Sequence, residues 1–157
     1  MSHPEWLPDL FQVNPWTSTS YDELYCLFRK DFIESQPNYE GLTVWFYPEK
    51  ENGKELVFWH LTTRDDKDAG ERLPDLRRCE RFPWIRPMLD QVGCPEELAW
   101  DYEEGDGTIK TYVWLDEYDF VVILKKYPDG GRRLITSFWV EYGHKKRSLR
   151  KKYENRL

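Results

Sequence analysis

The stretch Phe120-Val-Val-Ile-Leu124 decides the fold, because five apolar residues in a row predict a strand that is buried on both faces. Turn signals at Gly105-Asp-Gly107 and Pro128-Asp-Gly-Gly131 separate further strand-like runs on either side of it. Successive strands joined by short turns form hairpins, so residues 97–141 are predicted to form an antiparallel meander of four or more strands. The predicted strands are residues 98–102, 109–115, 120–126 and 134–141.

Helices are predicted on both sides of this meander. Ser20-Tyr-Asp-Glu23 is a capping box and predicts a helix over residues 19–36. An arginine-rich helical segment is predicted over residues 73–92, and a basic helix over residues 143–157. No repeat or linker divides the chain, so we expect residues 1–157 to form a single α+β domain, an antiparallel sheet with packed helices.

The remaining segments are predicted to be extended or irregular. Residues 1–18 contain three prolines and are predicted to form an extended N-terminal arm. Asn52-Gly53 is a strong turn signal, so residues 42–62 are predicted to form a β-hairpin whose second strand is Leu56–Leu61. The polar residues 63–72 are predicted to form a loop.

The composition narrows the class of protein. Aromatic residues make up 17% of the chain, which is too many for a disordered protein. No apolar run approaches the ~20 residues of a membrane span, and no basic-then-apolar signal peptide opens the chain. Three cysteines without a CxxC pair favour reduced thiols and give no zinc motif. We therefore expect a cytoplasmic protein without a metal or other cofactor, while the oligomeric state stays open.

Positive charge is concentrated in two parts of a chain whose formal net charge is −6. Residues 64–86 hold seven basic and six acidic residues, and residues 122–157 hold eleven basic and three acidic residues. The acidic balance argues against a generic nucleic-acid coat. A local basic cleft can still attract a polyanion, because the field depends on where the charges lie.

His60 is the first candidate for chemistry, since it ends an apolar run directly before the arginine-rich segment. A histidine has a pKa near neutral pH and can act as a general base or acid. The alternative is a half-buried strand histidine whose hydrogen bonds are satisfied by the protein itself.

Six arginines follow His60, and some of them are candidates for phosphate binding because a guanidinium group binds phosphate through two parallel hydrogen bonds. On a helix, Arg77 and Arg81 share a face, whereas Arg78 points elsewhere. The alternative is an ion-paired, solvated helix. The six are Arg64, Arg72, Arg77, Arg78, Arg81 and Arg86.

The last predicted strand adds hydroxyl and aromatic candidates. Thr136 and Ser137 are neighbours, so one faces each side of the sheet, and a hydroxyl on a binding face can donate to a phosphate oxygen. Trp139 and Tyr142 are candidates for base stacking, although a tryptophan in a strand is equally well explained as core.

The C-terminal helix carries a basic stripe that favours contact with a polyanion or an acidic partner, although solvated helix faces of this kind are common. Its candidate nucleic-acid contacts are Lys145, Lys146, Arg147 and Arg150.

Several catalytic motifs are missing from the sequence. It contains no GxGxxG or Walker loop, no HExxH, no GxSxG and no periodic carboxylate cluster suited to Mg²⁺. Metal-free cleavage of RNA requires only a base for the 2′-hydroxyl, cations for the phosphorane and an acid for the leaving oxygen. Histidine, arginine, hydroxyl and tyrosine side chains supply these three roles.

Three stretches carry a resemblance to a family of small bacterial and prophage proteins. They are His60-Leu-Thr-Thr-Arg64, the segment Leu73–Pro87, and the C-terminal run from Thr136-Ser-Phe-Trp-Val140 to Tyr153. The layout resembles the barnase–EndoU–colicin–RelE group of endoribonuclease folds, which includes toxins and phage-associated members. The resemblance implies helices before a four-stranded antiparallel sheet. The catalytic positions that it implies are His60, Arg64, Arg81, Thr136 and Tyr142.

The first hypothesis is a metal-independent endoribonuclease, such as a toxin of a toxin–antitoxin or phage-linked system, which leaves 2′,3′-cyclic phosphate ends. Its partners would be RNA and an antitoxin or immunity protein. Arg77, Arg78, Ser137 and Trp139 would add RNA contacts. The alternative is a non-catalytic module of phage or prophage origin that binds nucleic acid or protein, and for which binding depends steeply on salt without turnover.

Overall fold

The first half of the chain forms short helices and small hairpins in the computed structural model, which describes residues 4–66, 68, 70–141 and 143–157. Helix α1 spans Ser20–Phe28 and continues as a π-helix over Arg29–Glu34. The three strand pairs of this half are antiparallel and separate from one another. The elements after α1 are β1 (Asn38–Tyr39), β2 (Leu42–Thr43), β3 (Lys50–Glu51), β4 (Lys54–Glu55), α2 (Leu56–Thr62), β5 (Thr63–Asp66), β6 (Glu71–Pro74), α3 (Leu76–Arg81) and α4 (Ile85–Asp90).

The second half forms a four-stranded antiparallel sheet and a final helix. The strands lie in the order β10-β9-β8-β7, so each strand pairs with its neighbour in sequence. This arrangement confirms the predicted α+β fold with an antiparallel meander and a basic C-terminal helix. The elements are β7 (Leu98–Glu103), β8 (Ile109–Leu115), β9 (Phe120–Lys126), β10 (Arg132–Trp139) and α5 (Gly143–Glu154).

The sheet is covered on both faces, and strand β9 contributes to both cores. Phe120, Val122 and Leu124 belong to a cluster that includes side chains of α1 to α4. Val121 and Ile123 belong to a second cluster that includes side chains of α5. Each apolar side chain buried in this way contributes about 1.5–3 kcal/mol to folding. The strand is therefore buried on both faces, as its unbroken apolar run predicted.

The sequence predicted that Leu56–Leu61 is the second strand of a hairpin over residues 42–62. This prediction is wrong, because these residues form helix α2. The Asn52-Gly53 turn does form, with both residues at positive φ, but it joins strands of only two residues each. Val57, Phe58 and Leu61 have helical spacing and are buried together. The segment Leu56–Leu61 is apolar except for His60, and such a run fits a strand or a helix; here its helical face packs into the main core.

The loop predicted over residues 63–72 is also wrong, because most of it belongs to the hairpin β5–β6. Arg64 is paired with Leu73 across this hairpin. Arg72 joins the strands through its side chain, since Nε donates to Thr63 Oγ1 at 2.7 Å and Nη2 donates to the Thr63 carbonyl at 2.9 Å. A short, charged hairpin without an apolar face gives no strand signal in sequence.

The N-terminal arm lies against the helices rather than extending away from them. Its described part, residues 4–18, has no helix or strand before α1. The indole nitrogen of Trp84 donates to the Pro8 carbonyl at 2.8 Å, and the Phe11 amide donates to the Glu80 carbonyl at 2.8 Å. None of the helices in the described ranges has the length and the apolar composition needed to cross a membrane.

Candidate functional site

An open groove of about 400 Å³ lies between the end of α2, the hairpin β5–β6 and the edge strand β10. We call it the arginine groove, because the described residues that line it include four arginines and only one carboxylate. It brings together three of the five predicted catalytic residues, His60, Arg64 and Thr136, although Thr136 is distant in sequence from the other two. The residues that line it are His60, Arg64, Asp65, Arg72, Arg78, Arg133, Ile135 and Thr136.

His60 lies in the last turn of α2, and its side chain is exposed. The pKa of His60 is lowered from its ordinary value of 6.5, first by partial burial of the ring and then by the positive charge of Arg72. Arg78 and Arg133 act in the same direction, whereas the carboxylate of Asp65 opposes them. The neutral imidazole therefore predominates at pH 7, and this is the form that can accept a proton.

Two arginines of the groove hold its walls together. Arg78 Nη1 donates to the carbonyls of His60 at 2.9 Å and Thr63 at 2.8 Å, and its Nε lies 3.3 Å from Asp75 Oδ2. Arg72 Nη1 donates to Asp65 Oδ1 at 2.9 Å, in addition to its two bonds with Thr63. These guanidinium groups contribute charge to the groove, but much of their hydrogen-bonding capacity is used by the protein.

The other two arginines present donors to a ligand. Arg64 is exposed, and its side chain makes no hydrogen bond or ion pair with any residue in the described part of the chain. Arg133 is held from one side, since its Nε donates to the Tyr127 hydroxyl at 3.0 Å and its guanidinium group lies 4.4 Å from the ring centre of Tyr47. Its two Nη groups have no hydrogen-bond acceptor among the described residues. An arginine fixed in this way is suited to two-point binding of a phosphate.

The two neighbouring hydroxyls of β10 have different surroundings. Thr136 Oγ1 lies in the groove and donates to the His60 carbonyl at 3.1 Å, so it links the sheet to the end of α2. Ser137 is fully buried, and its Oγ has no hydrogen-bond partner among the described residues. Ser137 therefore faces the core and not the groove.

The remaining arginines of α3 lie around Trp139 and do not line the arginine groove. The Arg81 guanidinium group is 5.4 Å from the ring centre of Trp84 and 5.5 Å from that of Trp139. Arg77 lies 5.7 Å from the Trp139 ring and pairs with Glu80 at 2.9 Å. Arg81, Arg77 and Trp139 therefore form a second cluster of cations and an aromatic ring, and Arg77 and Trp139 line a larger cavity, of about 900 Å³, that Arg64 also lines.

The fifth predicted catalytic residue, Tyr142, lies outside the described residues. Its placement in the site stays a prediction.

The cations of α5 face acidic residues of the sheet hairpins. Lys146 pairs with Asp119 at 3.1 Å, and Arg150 lies 3.5 Å from Asp116. Lys145 lines a different cavity, between α5 and the sheet, and Arg147 is exposed on the helix. None of these four α5 residues lines the arginine groove, so the basic stripe and the groove are separate surfaces.

Sequence analysis missed Arg133 and gave no role to Arg72 beyond its membership in the arginine-rich segment. Strand alternation was the available signal for Arg133, because it directly follows Arg132, and neighbours in a strand face opposite sides. Arg132 is buried and pairs with Asp101 at 3.2 Å, which leaves Arg133 on the side of the groove. The position of Arg72 depends on the hairpin β5–β6, which has no strand signal in the sequence.

Comparison of the chain with family models, with curated proteins and with solved structures gave no match. In the described part of the chain, no three His, Cys, Asp or Glu side chains are grouped so that they could hold a metal ion. Function is therefore inferred from the residues of the groove themselves.

Proposed function

We propose that the protein is a metal-independent endoribonuclease and that the arginine groove is its reaction centre. One observation carries the proposal: His60, with a lowered pKa, shares an open groove with Arg64 and Arg133, whose guanidinium groups retain free donors. A base beside cations that can bind a phosphate is the minimum that cleavage by the 2′-hydroxyl requires.

In the proposed reaction, neutral His60 takes the proton of the 2′-hydroxyl. The 2′-oxygen then forms a bond to phosphorus, and the bond from phosphorus to the 5′-oxygen breaks. The resulting imidazolium returns its proton to that 5′-oxygen, which leaves a 2′,3′-cyclic phosphate. Arg64 and Arg133 stabilise the negative charge that develops on the phosphorane oxygens.

Thr136 has a positioning role in this proposal, since its hydroxyl lies 3.1 Å from the His60 carbonyl and links β10 to the end of α2. Arg77 and Trp139 do not line the arginine groove but share a neighbouring cavity with Arg64, so they can contact nucleotides next to the reaction centre, whereas α5 lines neither of the two. The resemblance of the sequence to ribonuclease toxins supports a cytoplasmic toxin that an antitoxin or immunity protein restrains.

The test is incubation of purified protein with total RNA in EDTA, followed by analysis of the product ends. We expect discrete fragments with 2′,3′-cyclic phosphate ends and a loss of about 10²–10⁴ in rate for His60→Ala. The matched control is His144→Ala, which removes a histidine from α5 and should cleave at the rate of the original protein. Equal rates for folded His60→Ala and the original protein would exclude His60 as the base.

A second candidate function is RNA binding without cleavage. It is favoured by the fact that, among the described residues that line the groove, His60 and Asp65 are the only candidates for proton transfer, and the Asp65 carboxylate pairs with Arg72. This function predicts salt-dependent binding of RNA and intact RNA in the EDTA assay. The same assay with added ribosomes distinguishes it from an enzyme that acts only on translating ribosomes.

A further inference from the structure

An aromatic surface continues the arginine groove beyond Arg133. The segment that contains Trp45 and Tyr47 lies along the edge strand β10, since the Trp45 amide donates to the Arg132 carbonyl at 3.1 Å and the Leu134 amide donates to the Trp45 carbonyl at 2.9 Å. Along an extended chain, Trp45 and Tyr47 face the same side. Val44, by contrast, is buried in the main core.

Three rings meet on this side and form what we call the aromatic shelf, namely Trp45, Tyr47 and Tyr127. The Trp45 ring centre lies 5.4 Å from that of Tyr47 and 5.3 Å from that of Tyr127. Tyr47 remains 45% exposed, and Trp45 and Tyr127 are half-buried. The shelf is therefore a preformed aromatic surface that solvent can reach.

Two cations lie directly against the shelf. The Arg133 guanidinium group is 4.4 Å from the ring centre of Tyr47, and Lys125 Nζ is 5.2 Å from that of Tyr127. Arg133 also lines the arginine groove, so the shelf begins where the groove ends. Aromatic rings that alternate with cations next to a phosphate site are the combination that binds single-stranded nucleic acid, with bases on the rings and phosphates on the cations.

We propose that the aromatic shelf binds unpaired nucleobases next to the phosphate in the arginine groove, so that the ligand is single-stranded RNA. This inference rests on the proposed function for the identity of the phosphate, but it adds a separate binding surface. A base pair in a helix cannot stack on the shelf, because its faces are covered by neighbouring pairs. The shelf therefore selects unpaired segments and excludes duplex.

The experiment measures binding of a fluorescent 12-nucleotide 2′-O-methyl RNA, which cannot be cleaved because it has no free 2′-hydroxyl. We expect tighter binding of the single strand than of the same sequence in a duplex. Tyr47→Ala should weaken single-strand binding about 10-fold, as expected when an aromatic ring that stacks a base is truncated, and should leave duplex binding unchanged. Equal affinities for the two forms, or an unchanged single-strand Kd in folded Tyr47→Ala, would overturn the inference.

Two controls separate stacking from other effects of the substitution. Tyr102→Leu removes a tyrosine that also lies beside a lysine, with Lys152 Nζ 5.3 Å from its ring centre, but on the α5 side of the sheet, and it should bind as the original protein does. If Tyr47 acted only by holding Arg133, its loss would reduce the salt dependence of binding as the loss of a phosphate contact does, whereas loss of stacking leaves that slope unchanged. A reduced slope would therefore count against stacking.

The binding assay and the cleavage assay fail independently. Single-strand binding through Tyr47 together with intact RNA in the cleavage assay would reject the nuclease and keep the shelf. Cleavage centred on His60 without any effect of Tyr47 on binding would reject the shelf and keep the nuclease.

Discussion

The arginine groove and helix α5 are both rich in cations, yet their cations have different surroundings. In the groove, Arg64 is free of partners in the described part of the chain, and Arg133 keeps its Nη groups unbonded there. On α5, Lys146 and Arg150 face the carboxylates of the sheet hairpins. A count of positive charges in the sequence ranks α5 above the groove, but Lys146, Arg150 and Lys152 of α5 are paired with carboxylates in the structure. The comparison shows that a binding site is indicated by cations without partners and not by cations alone.

The largest effect that tests this comparison is on the rate of RNA cleavage. Arg64→Gln should lower kcat/KM by about 10²–10³, as expected when one donor to a developing oxyanion is removed. Arg150→Gln should stay within about twofold of the original protein, because its charge is already paired with Asp116. Both rates are measured on one labelled RNA in EDTA. Similar losses for the two variants would remove the distinction between the groove and the helix.

Arg81 gives a second test of this comparison. The family resemblance implies that Arg81 is catalytic, whereas in the structure its guanidinium group has partners within the protein. Its side chain is only 14% exposed and lies against the rings of Trp84 and Trp139. We expect Arg81→Gln to lower the free energy of unfolding by about 1–2 kcal/mol through lost cation–π contacts. Urea unfolding measures this loss, and cleavage by the folded fraction should be unchanged. A fall in kcat/KM comparable to that of Arg64→Gln, at full stability, would place Arg81 in the reaction.

The dependence of cleavage on pH sharpens the account of the groove. The pKa of His60 is lowered from 6.5, and only the neutral imidazole can act as the base. We therefore expect kcat/KM to rise with pH in the acidic range and to be constant near pH 7, where the imidazole is already neutral. Asp65 favours the charged imidazole, so Asp65→Asn should move the rising limb to lower pH. Arg72→Gln removes a positive charge and should move it to higher pH. If the rising limb of the pH profile stays at the same pH in both folded variants, a group other than His60 controls it.

Much of the fold followed from local patterns in the sequence, but the contents of the groove did not. The buried strand Phe120–Leu124 and its turns specify the meander, because period and turn chemistry are local properties. Helix α2 was predicted as a strand, since a run of five apolar residues and one histidine fits either element and only the packing of Phe58 and Leu61 decides between them. His60, Arg64 and Thr136 were identified by residue type. Their meeting point depends on contacts across more than 70 residues, such as the bond from Thr136 to the His60 carbonyl.

The positions of the residues that the sequence did not place correctly also depend on contacts between distant parts of the chain. Arg133 reaches the groove because its neighbour Arg132 is drawn into a buried network with Asp101 and Thr111. Ser137 faces the core because it lies on the side of β10 opposite to Thr136. Strand alternation predicts that the hydroxyls of Thr136 and Ser137 face opposite sides of the sheet, but it does not predict which side carries the groove. That choice is made by the helices that cover the sheet.

The smallest expected effect concerns the contribution of Arg150, a cation of α5, to the stability of the fold. The Arg150 guanidinium group lies 5.4 Å from the ring centre of Trp114 and 3.5 Å from Asp116, and its side chain is 49% exposed. Half-exposed ion pairs and cation–π contacts each contribute up to about 1 kcal/mol, so Arg150→Ala should lower the free energy of unfolding by about 0.5–1 kcal/mol. Arg64→Ala is the matched control, and its stability should be unchanged because Arg64 has no partner in the described part of the chain. Urea unfolding at low and high salt measures both, and the loss in Arg150→Ala should shrink as salt screens the ion pair. Unchanged stability in Arg150→Ala together with weaker RNA binding would reverse the roles of the two regions, because the helix would then hold the available cations.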